Sequence, residues 1–134
     1  MKPVFATVLA IGMTLWGATA QALDVIEDVI DDQLEAFNDR DVPKAFSYAS
    51  PMIKRIFGGP ENFGVMVEHA YPMIWDNESA RYLDLREAGG SFFQRVLIQG
   101  SDGVSYVFDY KMIETEAGWQ IDGVSLLPAP DVAA

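Results

Sequence analysis

The chain of 134 residues has no cysteine and a single histidine, His69. The first absence excludes disulfide staples, thiolate zinc sites, iron–sulfur clusters and thiol nucleophiles together. The second excludes a histidine metal cluster and makes His69 the one imidazole able to serve as a base of near-neutral pKa. Basic residues are scarce: nine Lys and Arg stand against twenty Asp and Glu, a formal charge of −11. A surface of that sign is repelled by phosphate backbones, which excludes a basic nucleic-acid footprint. There is no G-x-S-x-G nucleophile motif, no phosphate-loop consensus and no calcium-loop spacing. Apart from residues 4–18, no stretch is apolar for long enough to cross a bilayer, and that run itself falls short of the roughly 20 residues required.

What is present begins with an address. Lys2 precedes the apolar run, and Ala20-Gln21-Ala22 follows it with small residues two apart. This is the pattern of a cleaved secretory signal over residues 1–22, with Ala18-Thr19-Ala20 as a competing cleavage frame. The expectation is an exported protein, periplasmic or secreted, with no membrane attachment once the signal is removed near Ala22. Residues 23–127 are long enough for one domain with a core of its own. Pro128-Ala129-Pro130 opens a tail over 128–134.

The hydrophobic period changes midway. Asp24 with Glu27 three positions on forms a capping box, and Val25, Ile26, Val29, Ile30, Leu34, Ala36 and Phe37 recur at helical spacing. Asp41 can cap a second helix with Pro43 in its first turn. Ser50-Pro51 ends that helix and opens a short turn carrying Met52, Ile53, Ile56 and Phe57, which Gly58-Gly59 stops. Pro60 opens a third amphipathic stretch with Phe63, Met66, Val67 and Ala70 on one side, ending before Tyr71-Pro72. From Ala80 the pattern predicts four strands, near 81–87, 91–99, 104–115 and 119–127, joined by short glycine-bearing connections. The fold class is α+β: N-terminal helices packed on one face of an antiparallel sheet of about four strands.

The residues also carry a resemblance. Gln33-Leu34, Ala36-Phe37, Asp41, Ala45-Phe46, Ala49-Ser50-Pro51, Phe57-Gly58, Phe63, Met66-Val67, Tyr71-Pro72 and Gly118-Trp119-Gln120-Ile121-Asp122-Gly123-Val124 resemble an exported bacterial family of unknown function, DUF4864-like. That family is similar to the cystatin-like superfamily typified by nuclear transport factor 2. The resemblance implies a strongly curved, cone-shaped sheet wrapped around helices, with a pocket at its open end. It implies no catalytic residues, since the family has none established, and such a scaffold does not fix an activity.

Candidate site residues follow from chemistry. His69, beside Glu68 near the edge of the third apolar stripe, is the candidate catalytic base. Tyr71, Tyr106, Tyr110 and Trp119 are the candidate pocket residues. A phenol in a dry cavity can donate to a ligand oxygen, with Asp109 or Asp122 as acids nearby. Asp109 alternates with both strand tyrosines, however, and should face the other way. The acidic first helix reads as a solvated face or as a docking face for a cationic partner. Lys54-Arg55 before the third helix is a weak candidate for holding an anion. The expected function is a non-catalytic binding module for a small apolar ligand or a protein partner, with no cofactor and no metal. The alternative is a small cofactor-free hydratase, dehydratase or isomerase. Because Phe92, Val96 and Ile98 alternate with Phe93 and Leu97, the sheet is apolar on both sides, and a homodimer through its second face is expected.

Overall fold

A computed structural model describes residues 6–128, with side chains from Ala20 onward. Residues 1–5 of the expected signal, and all of the expected tail beyond Pro128, lie outside the described residues. Among the described residues, five helices precede a four-stranded sheet: α1 (Ala6–Asn38), α2 (Val42–Ser47), α3 (Pro51–Phe57), α4 (Pro60–Ala70), α5 (Pro72–Trp75), β1 (Asn77–Ala88), β2 (Ser91–Gly100), β3 (Ser105–Thr115) and β4 (Gly118–Leu126). The chain is α+β, as its periodicity predicts. The helix expected to open at Asp24 starts earlier, because the preceding Ala, Leu and Met residues favour helix and no proline interrupts them.

Local chemistry sets most boundaries. The α1 C-terminus closes with Arg40 in the left-handed region (φ 59°). There the Asp41 N–H donates to the Ala36 carbonyl and the Arg40 N–H to that of Phe37, a Schellman pair. Arg40 is held in this conformation by stacking on Trp75, with its charged carbon 4.3 Å from the ring centre, and by donating to the Trp75 carbonyl at 2.7 Å and to the Asp76 carboxylate. The Asp41 side chain caps α2, and Ser50 Oγ caps α3 by accepting from the Ile53 N–H. Pro51 and Pro60 stand in the first turns of α3 and α4, where the missing N–H has no intrahelical partner to lose. Lys54 and Arg55 lie in the last turn of α3, where positive charge suits the helix dipole.

The sheet is an antiparallel meander in the order β1-β2-β3-β4. Gly89-Gly90, both at positive φ, form the two-residue turn between β1 and β2. The first strand, expected from residue 81, starts earlier, with Asn77-Glu78-Ser79 opening β1; the Asn77 amide ties that strand back by donating to the Leu34 and Ile74 carbonyls. Three bulges bend the outer strands, the first at Glu78 near the start of β1. In β1, Leu83 and Asp84 together oppose Arg95, and their freed carbonyls accept from the buried Gln94 amide. In β4, Asp122 is the extra residue between the pairs Lys111–Gly123 and Met112–Ile121. The segment Tyr48–Ser50 pairs with the free edge of β4 through two backbone hydrogen bonds to Ile121, so that edge is partly covered.

All helices lie on one face. Val96, Ile98, Phe108, Tyr110 and Met112 from the sheet meet Ile26, Ile30, Leu34 and Phe37 from α1 and Phe63 and Val67 from α4. Each such fully buried apolar side chain is worth about 1.5–3 kcal/mol. Ala70, expected on the apolar side of its helix, is exposed at the end of α4. Among the described residues, no helix is long and apolar enough to cross a membrane.

Candidate functional site

A cavity of about 290 Å³ remains between the helical layer and the inner face of β3 and β4. From α1 it is lined by Gln33 and Phe37, which share the stripe set by Ile26 and Ile30 at spacings of three and four. Helix α3 contributes Ile53 and Phe57, and α4 contributes Phe63, Met66 and Val67. Tyr71 and Ile74 close one side, while Tyr110, Ile121 and Val124 form the sheet wall. Phe63 organises the aromatic part, with ring centres 5.3 Å from Phe46, 5.6 Å from Phe57 and 6.0 Å from Phe37. Such stacked, tilted and edge contacts hold the rings more firmly than burial alone.

Three lining residues bring polar side-chain groups: Gln33, Tyr71 and Tyr110. Gln33 is buried, and its Nε2 donates to the Ala45 carbonyl at 3.1 Å, which fixes the amide and leaves its oxygen as what it can offer a guest. The Tyr110 side chain is fully buried, and its hydroxyl has no hydrogen-bond partner among the described residues. Burial first, and the neighbouring Tyr71 phenol second, push the Tyr110 phenol above its ordinary pKa. It therefore stays protonated, a standing donor. An unmet buried hydroxyl costs about 1–3 kcal/mol, which the surrounding apolar packing must offset.

Of the four tyrosine and tryptophan candidates, two meet at this cavity and two do not. Tyr71 and Tyr110 line it. Tyr106 sits four residues before Tyr110 on the same strand, opposite Ile98, beyond the reach of the cavity. Trp119 lies at the other end, its ring edge-on to Phe92 with centres 5.2 Å apart, and serves packing. His69 is exposed on α4, on the side away from Phe63 and Val67, and is not among the lining residues.

The carboxylates are placed elsewhere too. Asp109 points to the outer face, as strand alternation requires, where it takes Arg86 at 2.9 Å and Arg95 at 3.4 Å. Asp122, carried out of alternation by its bulge, accepts from Ser50 Oγ at 2.7 Å and pairs with Lys111 at 3.4 Å. That contact joins the α3 cap to the sheet. Tyr82, which sequence reasoning passed over, donates to Asp31 at 2.6 Å and binds the acidic face of α1 to β1. Gln33 and Phe63 were also not singled out as site residues. Gln33 had a signal: a glutamine inside an otherwise apolar helical stripe. Among the described residues, no group of three His, Asp or Glu side chains is placed to hold a metal ion.

Fold and site together define an α+β domain with helices on one face of an open antiparallel sheet and an uncharged cavity between the layers. The family model described as "Domain of unknown function (DUF4864)" matches residues 19–134, and the chain belongs to that family. No curated protein matches the chain.

Proposed function

We propose that this is an exported, non-catalytic binding module whose cavity holds a small apolar molecule. The observation that carries the reading is the composition of the cavity wall: aliphatic and aromatic side chains with three neutral polar ones and no charged group. Proton-transfer chemistry needs a base beside the reacting atom, but His69 is exposed outside the cavity wall and Asp109 and Asp122 are engaged in ion pairs elsewhere. This weighs against the hydratase, dehydratase or isomerase alternative. Export rests on the charged start, apolar run and small-residue junction of residues 1–22. Placement in the cystatin-like superfamily rests on the helix-then-meander order and the bulged strands.

The test is thermal unfolding of the purified protein against a panel of small neutral apolar compounds. A guest bound only by the folded state raises the midpoint by mass action. Val124→Phe, which fills the cavity from the sheet side, should leave the protein folded and remove the shift. No shift from any compound, or an unchanged shift in Val124→Phe, would contradict the reading.

A homodimer through the outer sheet face is a second proposal. Phe93, Leu97, Val107 and Ile113 lie half-buried there with no helix over them. Sedimentation at micromolar concentration should show a species of twice the chain mass; a single-chain species alone would remove it.

A further inference from the structure

Where the cavity is neutral, a separate groove of about 310 Å³ between α2 and α4 carries carboxylates. It shares no lining residue with the cavity. We propose that this groove binds a linear organic dication, an α,ω-alkanediamine or polyamine. Its ammonium groups meet Glu61 and Glu68, and its methylenes lie on the apolar floor between them.

Spacing on α4 builds the site. Glu61, Gly64, Val65 and Glu68 recur at intervals of three and four and so share one face of the helix, while Phe63, Met66 and Val67 belong to the face that lines the cavity. The two carboxyl-bearing residues are seven positions apart, about 10.5 Å along the axis at 1.5 Å per residue. Between them lie Gly64 and Val65, with Val42 and Pro43 of α2 opposite and Trp75 completing the wall. Gly64 has no side chain to fill the groove, and α2 closes on it there: a Cβ would lie 2.9 Å from Val42 Cγ1.

Charge selects the guest. Among the described residues, no Lys, Arg or His lines the groove, and neither Glu61 nor Glu68 has an ion-pair partner. Both are exposed, so each side chain is free to turn its carboxylate onto a guest. Arg40, the cation stacked on Trp75, is already paired with Asp76. Glu68 stands in the last turn of α4, where the helix dipole disfavours a carboxylate and a bound cation relieves it. The formal charge of −11 draws cations from solution. An anion is repelled by both glutamates, a monoamine leaves one of them unmet, and a hydrated metal ion gains nothing from an apolar floor. A chain with an ammonium at each end uses every part of the groove.

The experiment is an NMR titration of the isotope-labelled protein, following the Gly64 and Val65 amides, with octamethylenediamine, octylamine and suberate. The diamine should bind roughly two- to fivefold more tightly than octylamine, the worth of one further exposed ion pair. Suberate, a dianion of similar length, should not bind. Added salt should weaken the diamine more than the monoamine. In Glu68→Gln the diamine should fall to within about twofold of octylamine. Asp32→Asn, which removes the same charge from an exposed position on α1, should leave the diamine's advantage intact. Equal binding of diamine and monoamine by the unmodified protein would overturn the proposal. Equal losses in Glu68→Gln and Asp32→Asn would do the same, by tracing the attraction to general acidity, as would amide shifts confined to residues outside the groove. None of these outcomes touches the cavity reading, which concerns other residues.

Discussion

The two faces of the sheet use polar chemistry in opposite ways. On the outer face, Asp109 takes Arg86 and Arg95, with Asp84 close to both arginines, so strong charges are matched against one another in partial contact with water. On the inner face, the polar groups are neutral, and the Tyr110 hydroxyl is buried without a hydrogen-bond partner among the described residues. The lesson is that abundance of ionisable side chains is a poor guide to where a site lies. The carboxylates of this acidic chain are engaged in holding it together or facing solvent, and the cavity wall is left to uncharged side chains.

The largest effect that sharpens this contrast comes from neighbouring residues of β2. Ile98 is fully buried on the inner face and Leu97 half-buried on the outer. Ile98→Ala should cost about 2–5 kcal/mol in denaturant unfolding, and Leu97→Ala about 1 kcal/mol. Equal losses would mean that the outer face is covered in solution. Next, Asp109→Asn removes the charge shared by two arginines that stay partly exposed. It should destabilise by about 1–2 kcal/mol, reduced from the buried-pair figure by solvent screening. A neutral result would reduce the outer network to surface decoration.

Smaller effects probe the helical layer. Gly64 brings α4 against α2 so closely that an added Cβ would lie 2.9 Å from Val42 Cγ1. Since β-branched valine yields little, overpacking should outweigh the helix-propensity gain, and Gly64→Ala should cost about 1 kcal/mol. Adding Val42→Ala should recover part of that loss. The smallest effect is on the acidic face of α1. Glu27 has its carboxyl pushed above its ordinary 4.5 by partial burial first, then by repulsion from Asp24, Asp31 and Asp28. A raised carboxyl pKa means that the folded state holds the proton more tightly than the unfolded chain. Stability is therefore favoured below about pH 4.5 and lost as the pH rises through the folded value. Glu27→Gln should stabilise by a few tenths of a kcal/mol at pH 7, with the gain disappearing toward pH 4. A gain that grows on acidification would contradict the assignment.

Much of the architecture was legible in the sequence because its signals are local. Asp41, Ser50, Pro51 and Pro60 mark helix starts by chemistry that acts within one turn, and Gly89-Gly90 demands a hairpin wherever the strands lie. Strand alternation alone placed Asp109 away from the tyrosines. The site was only half legible because a cavity is a non-local object. Tyr71 and Tyr110 were recognisable as aromatic candidates, but nothing near Tyr106 or Trp119 in the sequence reveals that they pack at the strand ends. Phe63 looked like an ordinary member of a helical stripe, and Gln33 was legible only as a polar interruption of one, until α1, α4 and the sheet came together around a gap. The bulge that turns Asp122 toward Ser50 breaks the period-two rule, so alternation could not place that residue.

The unmatched hydroxyl is the point on which the account turns, and chemical denaturation of Tyr110→Phe tests it most directly. If the hydroxyl has no protein partner, removing it takes away a desolvation penalty without opening a cavity, and the midpoint should stay the same or rise, by up to about 1 kcal/mol. A loss of more than about 1 kcal/mol would show that the hydroxyl is already held by a partner within the fold.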